Sequence, residues 1–189
     1  MGYNTTFKGK FHIRTKDGQH TKLNPEQIEY LKAFSGSRRM KRDAQILRDT
    51  VDLVRVKVDL PVGEEGCYYV GSATDGNYGQ DKDSSIEDYN NPPKGQPGLW
   101  CQWVPTDDGS AIEWNEGDKF YYYVEWLQYI NDHFLKRWGY TLYGNVTWQG
   151  EASNGDYGTI YADLAGIRSN SLTEDAVELG EDSVNEEEK

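Results

Sequence analysis

Residues 118–138 carry the most regular apolar pattern of the chain, and this pattern limits what the rest can fold into. Apolar residues recur there in two stripes at helical spacing. The first stripe is Phe120, Val124, Leu127, Ile130 and Phe134, and the second is Tyr122, Trp126, Tyr129 and His133. We therefore expect a long helix from about Asp118 to Trp138, ended by Gly139. A helix that is apolar on two sides must pack on both sides, or pack on one and meet a partner with the other.

A shorter helix near the N-terminus is predicted by its start signals. Asn24 is a good N-cap, Pro25 suits the first helical position, and Gln27 stands where a capping box needs it. Leu23 and Ile28 have the spacing of a hydrophobic staple. The remaining buried stripe and the helix end are expected at Leu31, Phe34 and Gly36.

Alternating apolar and polar residues predict strands around these helices. The expected strands are Thr6–Arg14, Val54–Leu60, Leu99–Val104, Ala111–Trp114, Val146–Trp148 and Thr159–Tyr161. The last four form two hairpins, because Asp107-Asp108-Gly109 and Asn154-Gly155 are turn sequences. Residues 43–53 are expected to add a short helix. This order predicts an α+β fold in which an antiparallel sheet built from hairpins packs against one long aromatic-rich helix and a shorter N-terminal helix.

Two segments have no periodic pattern. Residues 61–98 are rich in Gly, Pro and Asp, and a loop of this length is expected to be functional or disordered. Residues 172–189 are acidic and contain no aromatic residue, which predicts a disordered tail. The predicted organisation is therefore a single domain over residues 1–171 followed by an acidic tail.

The composition and the N-terminal residues indicate in which cellular compartment the protein is expected. The longest apolar runs fall well short of the roughly 18 residues that a membrane span needs, and no basic segment followed by an apolar run marks a signal peptide. Cys67 and Cys101 are too few for a disulfide framework, so two reduced thiols are expected. We expect a cytoplasmic protein that does not contact membranes.

A basic turn follows the first helix. It contains Arg38, Arg39, Lys41 and Arg42, whose guanidinium and ammonium groups suit phosphate or carboxylate. This turn is the predicted anion-binding or partner-binding site. The alternative is a solvated turn, or one that pairs with the chain's own acidic residues. Nucleic acid is an unlikely partner, because a net charge of −12 repels its phosphate backbone.

Aromatic residues supply the second candidate site. Trp and Tyr favour interfaces, because they combine a large contact area with a polar tip. The predicted recognition surface consists of Trp100, Trp103, Tyr122, Trp126 and Tyr129. The alternative is that the second helical stripe packs under the sheet.

Catalytic, metal and cofactor signatures do not emerge. The stretch Asp75–Asp83 spaces oxygen donors as calcium loops do, but Gln80 and Ile86 stand where an EF-hand needs Gly and Glu. The sequence has no nucleophile elbow, no phosphate loop and no dinucleotide fingerprint. We expect no catalytic residue, no metal and no cofactor, although a pair of carboxylates for acid–base chemistry stays open.

Several stretches resemble a family of uncharacterised small bacterial and bacteriophage proteins that has no assigned activity. The residues that carry the resemblance are Ser37–Asp43, Asp88–Trp103, Phe120–Leu127, Trp138–Tyr140 and Trp148–Glu151. The resemblance implies a compact domain over most of residues 7–161 and a mobile-element setting. Antagonism of a host defence system is the role that such a setting implies.

The function expected from the sequence is therefore a non-enzymatic binding protein with a protein–protein recognition surface. One alternative is the sequestration or processing of a small anionic, nucleotide-like ligand, gripped by the basic turn and stacked on Trp side chains. A second alternative is an enzyme that uses carboxylates from the acidic part of the chain.

Overall fold

A computed structural model describes residues 3–71, 78–151 and 155–172 and has the expected α+β class. The strands of this part of the chain are β1 (Thr5–Gly9), β2 (Phe11–Thr15), β3 (Lys41–Arg42), β4 (Ile86–Asp88), β5 (Trp103–Pro105), β6 (Ala111–Trp114), β7 (Tyr140–Gly150), β8 (Tyr157–Asp163) and β9 (Gly166–Leu172). Its α-helices are α1 (Pro25–Ser35), α2 (Ala44–Arg48), α3 (Leu53–Lys57) and α4 (Tyr123–Ile130).

The main sheet is antiparallel and runs in the order β5-β6-β2-β7-β8-β9, with β1 also on β7. Strands β1 and β2 pair with the two halves of β7 in one antiparallel register: Gly9 faces Val146, and His12, three residues later, faces Tyr143, three residues earlier.

The first predicted strand is present but is divided at Lys10 into β1 and β2. Both predicted hairpins are present as β5/β6 and β7/β8. Strand β5 begins four residues later than expected, at Trp103, and the strands of the second hairpin are longer than expected. Asn154 of the second predicted turn lies outside the described residues.

One face of the sheet is buried and the other is exposed, as alternation along an antiparallel sheet requires. On β2 and β7 the inward side chains include Phe11, Ile13, Leu142 and Val146, which belong to a single apolar cluster. Tyr143, on the same strand as Leu142, points outward and is 48% exposed. Helices α1 and α4 pack over the inward face and bring Phe34 and Leu127 into the cluster, and the π-helical turn after α4 adds Phe134.

Helix α1 has the predicted start. The Asn24 side chain accepts a hydrogen bond from the Gln27 backbone N–H at 2.8 Å, and the Gln27 side chain accepts one from the Asn24 N–H at 3.0 Å. These two bonds satisfy N–H groups that a helix start otherwise leaves unpaired. Leu31 and Phe34 are buried as expected.

The aromatic helix begins five residues later than predicted. Lys119 and Tyr122 have φ of 56°, in the left-handed region, so the right-handed helix starts only at Tyr123. It continues beyond Ile130 as a π-helical turn over Asn131–Leu135. The segment before α4 is therefore an irregular stretch that presents Tyr121 and Tyr122 to solvent.

The strand predicted over Val54–Leu60 is wrong, because these residues contain helix α3. Asp52 caps the helix through the Arg55 N–H at 3.2 Å, and its other oxygen accepts from the Val70 N–H at 3.1 Å. The Arg55 guanidinium lies 3.3 Å from the Asp52 carboxylate and donates to the Leu60 carbonyl. This buried cluster of polar bonds outweighs the β propensity of three alternating valines.

The Gly- and Pro-rich segment 61–98 contains short regular elements among its described residues, 61–71 and 78–98. It includes a 3₁₀ turn over Glu64–Gly66 and strand β4, which pairs with β3 in the basic turn. The short helix expected within 43–53 is present as α2, with Asp43 as its N-cap. Strand β9 had no sequence prediction, and it ends where the acidic tail was expected to begin; residues 173–189 of that tail lie outside the described residues. In the described ranges no helix is both long and apolar enough to cross a membrane.

Removing the buried carboxylate should show how much the 52–60 cluster stabilises the fold. We expect Asp52→Ala to lower the free energy of unfolding by about 3–5 kcal/mol, because it leaves the Arg55 charge buried without its partner. Asp49→Ala, at an exposed acidic residue of the same region, should change it by less than about 0.5 kcal/mol. Urea denaturation measures both. A loss below about 1 kcal/mol for Asp52→Ala would contradict this account.

Candidate functional site

Two of the four cations of the predicted anion site, Arg39 and Arg42, are buried. Arg39 is 3% exposed and donates to the Ser37 hydroxyl at 2.8 Å, the Cys67 carbonyl at 3.0 Å and the Gln96 side chain at 3.4 Å. Its guanidinium also lies 4.2 Å from the centre of the Phe34 ring. These contacts hold the 3₁₀ region and residue 96 against the end of α1.

Arg42 plays the same part for the second half of the 61–98 segment. It is 5% exposed and contacts the Asp83 carboxylate at 3.1 Å, the Ser85 hydroxyl at 2.9 Å and the Gly79 carbonyl at 3.0 Å. The ring centre of Tyr69 lies 5.0 Å from its guanidinium carbon. A single side chain thus connects several turns of a segment that has little regular structure.

The other two cations are half-buried at the surface. Lys41 lies 3.2 Å from the Glu65 carboxylate and 3.5 Å from that of Glu87. Arg38 donates to the Tyr89 carbonyl at 3.0 Å, and its guanidinium carbon lies 6.0 Å from the Trp100 ring centre. The basic turn therefore organises its own chain, and this geometry favours the alternative in which it pairs with the protein's own groups.

The structure divides the predicted aromatic surface into core and surface residues. Trp103 and Trp126 have no exposed area, and Tyr129 is also buried. They lie in the core because α1, β5 and α4 enclose them: Trp103 donates to the Tyr123 carbonyl at 2.7 Å, and Tyr129 stacks on Phe34 at 6.1 Å between ring centres. Trp100 and Tyr122 keep exposed area and face a common cleft.

This aromatic cleft lies between the 90–102 segment and the irregular stretch before α4. Its volume of about 590 Å³ is within the range of ligand-binding pockets. The residues that line it include Pro92, Pro97, Gly98, Trp100, Tyr121, Tyr122 and Trp126. Asn90, Asp118 and Lys119 contribute polar groups. The sequence prediction missed the two prolines, Gly98 and Tyr121, although the run Pro92-Pro93-Lys94-Gly95-Gln96-Pro97 is a signal of irregular structure.

An unpaired hydrogen-bond donor lies at the base of the cleft. The indole Nε1 of Trp126 is buried and has no hydrogen-bond partner among the described residues. Gly98 lies directly over it, since a Cβ added to Gly98 would be 3.8 Å from this nitrogen and 3.5 Å from the Tyr122 ring. Because a buried N–H without an acceptor costs free energy, an acceptor supplied by a ligand would stabilise this donor.

Tyr122 is held in a strained conformation beside that donor. Its φ of 56° and ψ of 36° are left-handed values, which cost a residue with a Cβ roughly 1–2 kcal/mol. Its side chain is 58% exposed, so burial of the ring offsets little of that unfavourable free energy. Strained residues of this kind cluster at binding sites.

Nucleophilic and metal chemistry find no support in the described part of the chain. Burial raises the pKa of the Cys101 thiol to about 12 and also raises the pKa of Cys67, so both stay protonated at neutral pH. Residues 3–71, 78–151 and 155–172 contain no group of three His, Cys, Asp or Glu side chains arranged to hold a metal ion.

Comparison with protein-family models, with curated proteins and with solved structures finds no match.

Substitution of Tyr122 tests whether its left-handed backbone destabilises the fold more than its side chain stabilises it. We expect Tyr122→Gly to leave the free energy of unfolding unchanged or to raise it by up to about 1 kcal/mol, because glycine adopts left-handed values freely. The neighbouring Tyr121 is 50% exposed and is not among the residues with positive φ, so Tyr121→Gly should lower stability by about 1 kcal/mol. Thermal and urea denaturation measure both. A destabilised Tyr122→Gly protein would show that the ring supports the fold.

Proposed function

We propose that this protein is a binding protein whose aromatic cleft accepts an extended, proline-containing segment of a partner protein. The observation that carries the proposal is the unpaired Trp126 indole N–H at the base of a cleft lined by exposed tyrosines. A ligand can supply the acceptor that this buried donor lacks within the described part of the chain.

The shape and chemistry of the lining favour a polyproline II segment. Such segments bind grooves lined by aromatic rings, because the conformation forms before binding and the prolyl ring packs flat on an aromatic face. Tyr121, Tyr122 and Trp100 provide these faces. A prolyl carbonyl is an acceptor for the Trp126 N–H, and a proline brings no backbone N–H that the cleft would have to satisfy.

Charge indicates which flanking residues such a segment carries. Asp118 and Lys119 balance each other within the cleft, whereas the whole chain carries a net charge of −12. The negative electrostatic field of such a chain speeds the association of positively charged partners. The proposed ligand is therefore proline-rich with basic flanks.

The nucleotide-like alternative has weaker support. It requires the basic turn to grip phosphates, yet Arg39 and Arg42 are buried against their own chain. A cytoplasmic setting and antagonism of a host defence system stay predictions, the first from the sequence and the second from the resemblance.

A synthetic peptide tests the proposal directly. The probe is acetyl-Arg-(Pro)₈-Arg-amide, and the control peptide has serine in place of every proline. We expect the proline peptide to shift the Trp126 indole N–H resonance downfield in ¹H–¹⁵N spectra, because that proton acquires an acceptor. Trp126→Phe assigns the resonance by removing it.

Variants around the cleft give the matched controls. Gly98→Leu should weaken peptide binding at least about tenfold, or about 1.4 kcal/mol, because the new side chain fills the space over the indole. Gly98 has an ordinary φ, so its backbone tolerates a side chain. Tyr143→Ala, an exposed tyrosine on the opposite face of the sheet, should change affinity less than about twofold. Equal binding of the proline and serine peptides, or an unmoved Trp126 resonance, would overturn the proposal.

A further inference from the structure

The exposed face of the main sheet carries a row of basic side chains along β1 and β2. Phe11 and Ile13 of β2 point inward and are buried, so the even-numbered residues of these strands point outward. Outward residues follow one another at about 7 Å along a strand, so the row presents positive charge over roughly 20 Å of the sheet. The cations of this row are Lys8, Lys10 and Arg14, with His12 between the last two.

Acidic side chains neutralise only part of this face. Among the described strands of the main sheet, the outward positions include two acids, Glu113 and Asp163. Glu113 lies 3.7 Å from Lys10, and Asp163 lies 2.8 Å from Arg168 on β9. The other two cations of the row have no acidic partner within the described part of the chain. The face is therefore locally positive, although the whole chain carries a net charge of −12.

The local charge matters more than the net charge for a ligand that lies on this face. Charges further away than about 8–10 Å are largely screened at physiological ionic strength. The expectation that nucleic acid is an unlikely partner was based on the net charge of the chain, and the outward face of the sheet has the opposite sign.

Tyrosines and uncharged polar groups lie beside the cation row. Tyr143 of β7 faces His12 across the strand pair, and the Arg14 guanidinium carbon lies 5.2 Å from its ring centre. Tyr161 of β8 has a similar contact with Arg168 at 5.5 Å. Tyrosine rings offer stacking faces, and amides and hydroxyls both donate and accept hydrogen bonds. The other outward side chains of β7 are all of these polar types: Thr141, Asn145, Thr147 and Gln149.

Arg14 has hydrogen-bond donors left for a ligand. Among the described residues its side chain donates one hydrogen bond, to the Gly18 carbonyl at 3.2 Å. A guanidinium has five N–H donors, and its planar fork matches the oxygens of a phosphate. Arg14 can therefore keep its contact with the chain and bind a phosphate at the same time.

We propose that this sheet face binds a single-stranded nucleic acid, with the phosphates along the cation row and the bases on the tyrosines. Surfaces that bind single strands combine cations that follow the backbone with aromatic rings that stack bases, and exposed antiparallel sheets provide such surfaces. A duplex fits less well, because its bases are already stacked within the helix. A run of acidic residues in a protein would contact the cations but has no planar bases to stack on the rings.

This site is separate from the aromatic cleft. Helices α1 and α4 cover the inward face of the sheet, and the cleft lies where the chain enters α4, whereas the cation row lies on the outward face. The proposal therefore does not depend on the proposed peptide binding.

Fluorescence anisotropy with labelled probes tests the proposal on the full chain. The probes are oligothymidylate and oligouridylate of twelve nucleotides, a DNA duplex of twelve base pairs and a peptide of twelve glutamates. We expect a single strand to bind at least about tenfold more tightly than the duplex or the glutamate peptide. Tighter binding of oligouridylate assigns RNA as the ligand, and tighter binding of oligothymidylate assigns DNA.

The salt dependence of binding measures how many phosphates the row contacts. Three contacts predict that affinity for a single strand falls roughly 15- to 20-fold between about 50 and 200 mM salt. Lys8→Gln should make the slope of log affinity against log salt less steep by about 0.7. Lys32→Gln removes an exposed lysine of α1, which covers the other face of the sheet, and should leave the slope unchanged.

Tyr143→Ala tests the stacking. It should weaken binding of the single strand at least about fivefold and leave peptide binding in the aromatic cleft unchanged. Gly98→Leu should have the reverse effect, so failure of one proposal is distinguishable from failure of the other. Lys8→Gln, at an exposed residue, gives an answer even if Tyr143→Ala does not fold.

Three results would overturn the proposal. The first is no binding of either single strand at about 50 mM salt. The second is equal binding of the single strand and of the duplex or the glutamate peptide, which would indicate a general attraction for anions or an acidic protein partner. The third is an affinity for the single strand that neither Lys8→Gln nor Tyr143→Ala changes.

Discussion

Pairing of the N-terminal strands β1 and β2 with β7 is the constraint on which the rest of the structure depends. Strand β7 is the longest of the described strands and pairs along both edges, with β1 and β2 on one side and β8 on the other. The pairing fixes which side chains of the central strands face inward, since a slip of one residue would turn Phe11, Ile13 and Val146 to solvent. Helix α4 packs against that inward face, and the cleft forms where the chain enters α4.

Local signals in the sequence predicted the elements that local chemistry determines. The capping box at Asn24 and the two hairpins are of this kind, because caps and tight turns depend on residues a few positions apart. The failure at residues 54–60 has the opposite cause. Valine alternation fits a strand, but the Asp52 carboxylate reaches Val70, and such a bond across many residues is not visible in a local pattern. The late start of α4 is similar, since only the backbone at Lys119 and Tyr122 shows the break.

The candidate sites show that composition locates a cluster of residues but does not predict which of them are buried. The sequence located the basic turn as a cluster, but not the carbonyl oxygens of Cys67 and Gly79 that bury its arginines. Any residue type has a backbone carbonyl that can accept a hydrogen bond. The sequence therefore does not show whether an arginine is buried against such carbonyls or exposed to solvent. In the aromatic set, Trp100 and Tyr122 keep exposed area, whereas Trp103 and Trp126 lie in the core. The contribution proposed for Trp126 is that of its indole N–H, and the lack of an acceptor for it among the described residues is apparent only from the three-dimensional structure.

Because the ribosome synthesises a chain from its N-terminus, β1 and β2 can pair with β7 only late in synthesis. Strands β1 and β2 leave the ribosome first, but their partner lies at residues 140–150. At translation rates of about 5–20 residues per second, the first strands wait roughly 7–27 s for it. During that interval Phe7, Phe11 and Ile13 have no sheet to join, so the nascent chain offers an apolar segment to chaperones or to other chains. The growing polypeptide is therefore most exposed to aggregation before β7 has been made, and slower translation of residues 16–139 would prolong that exposure.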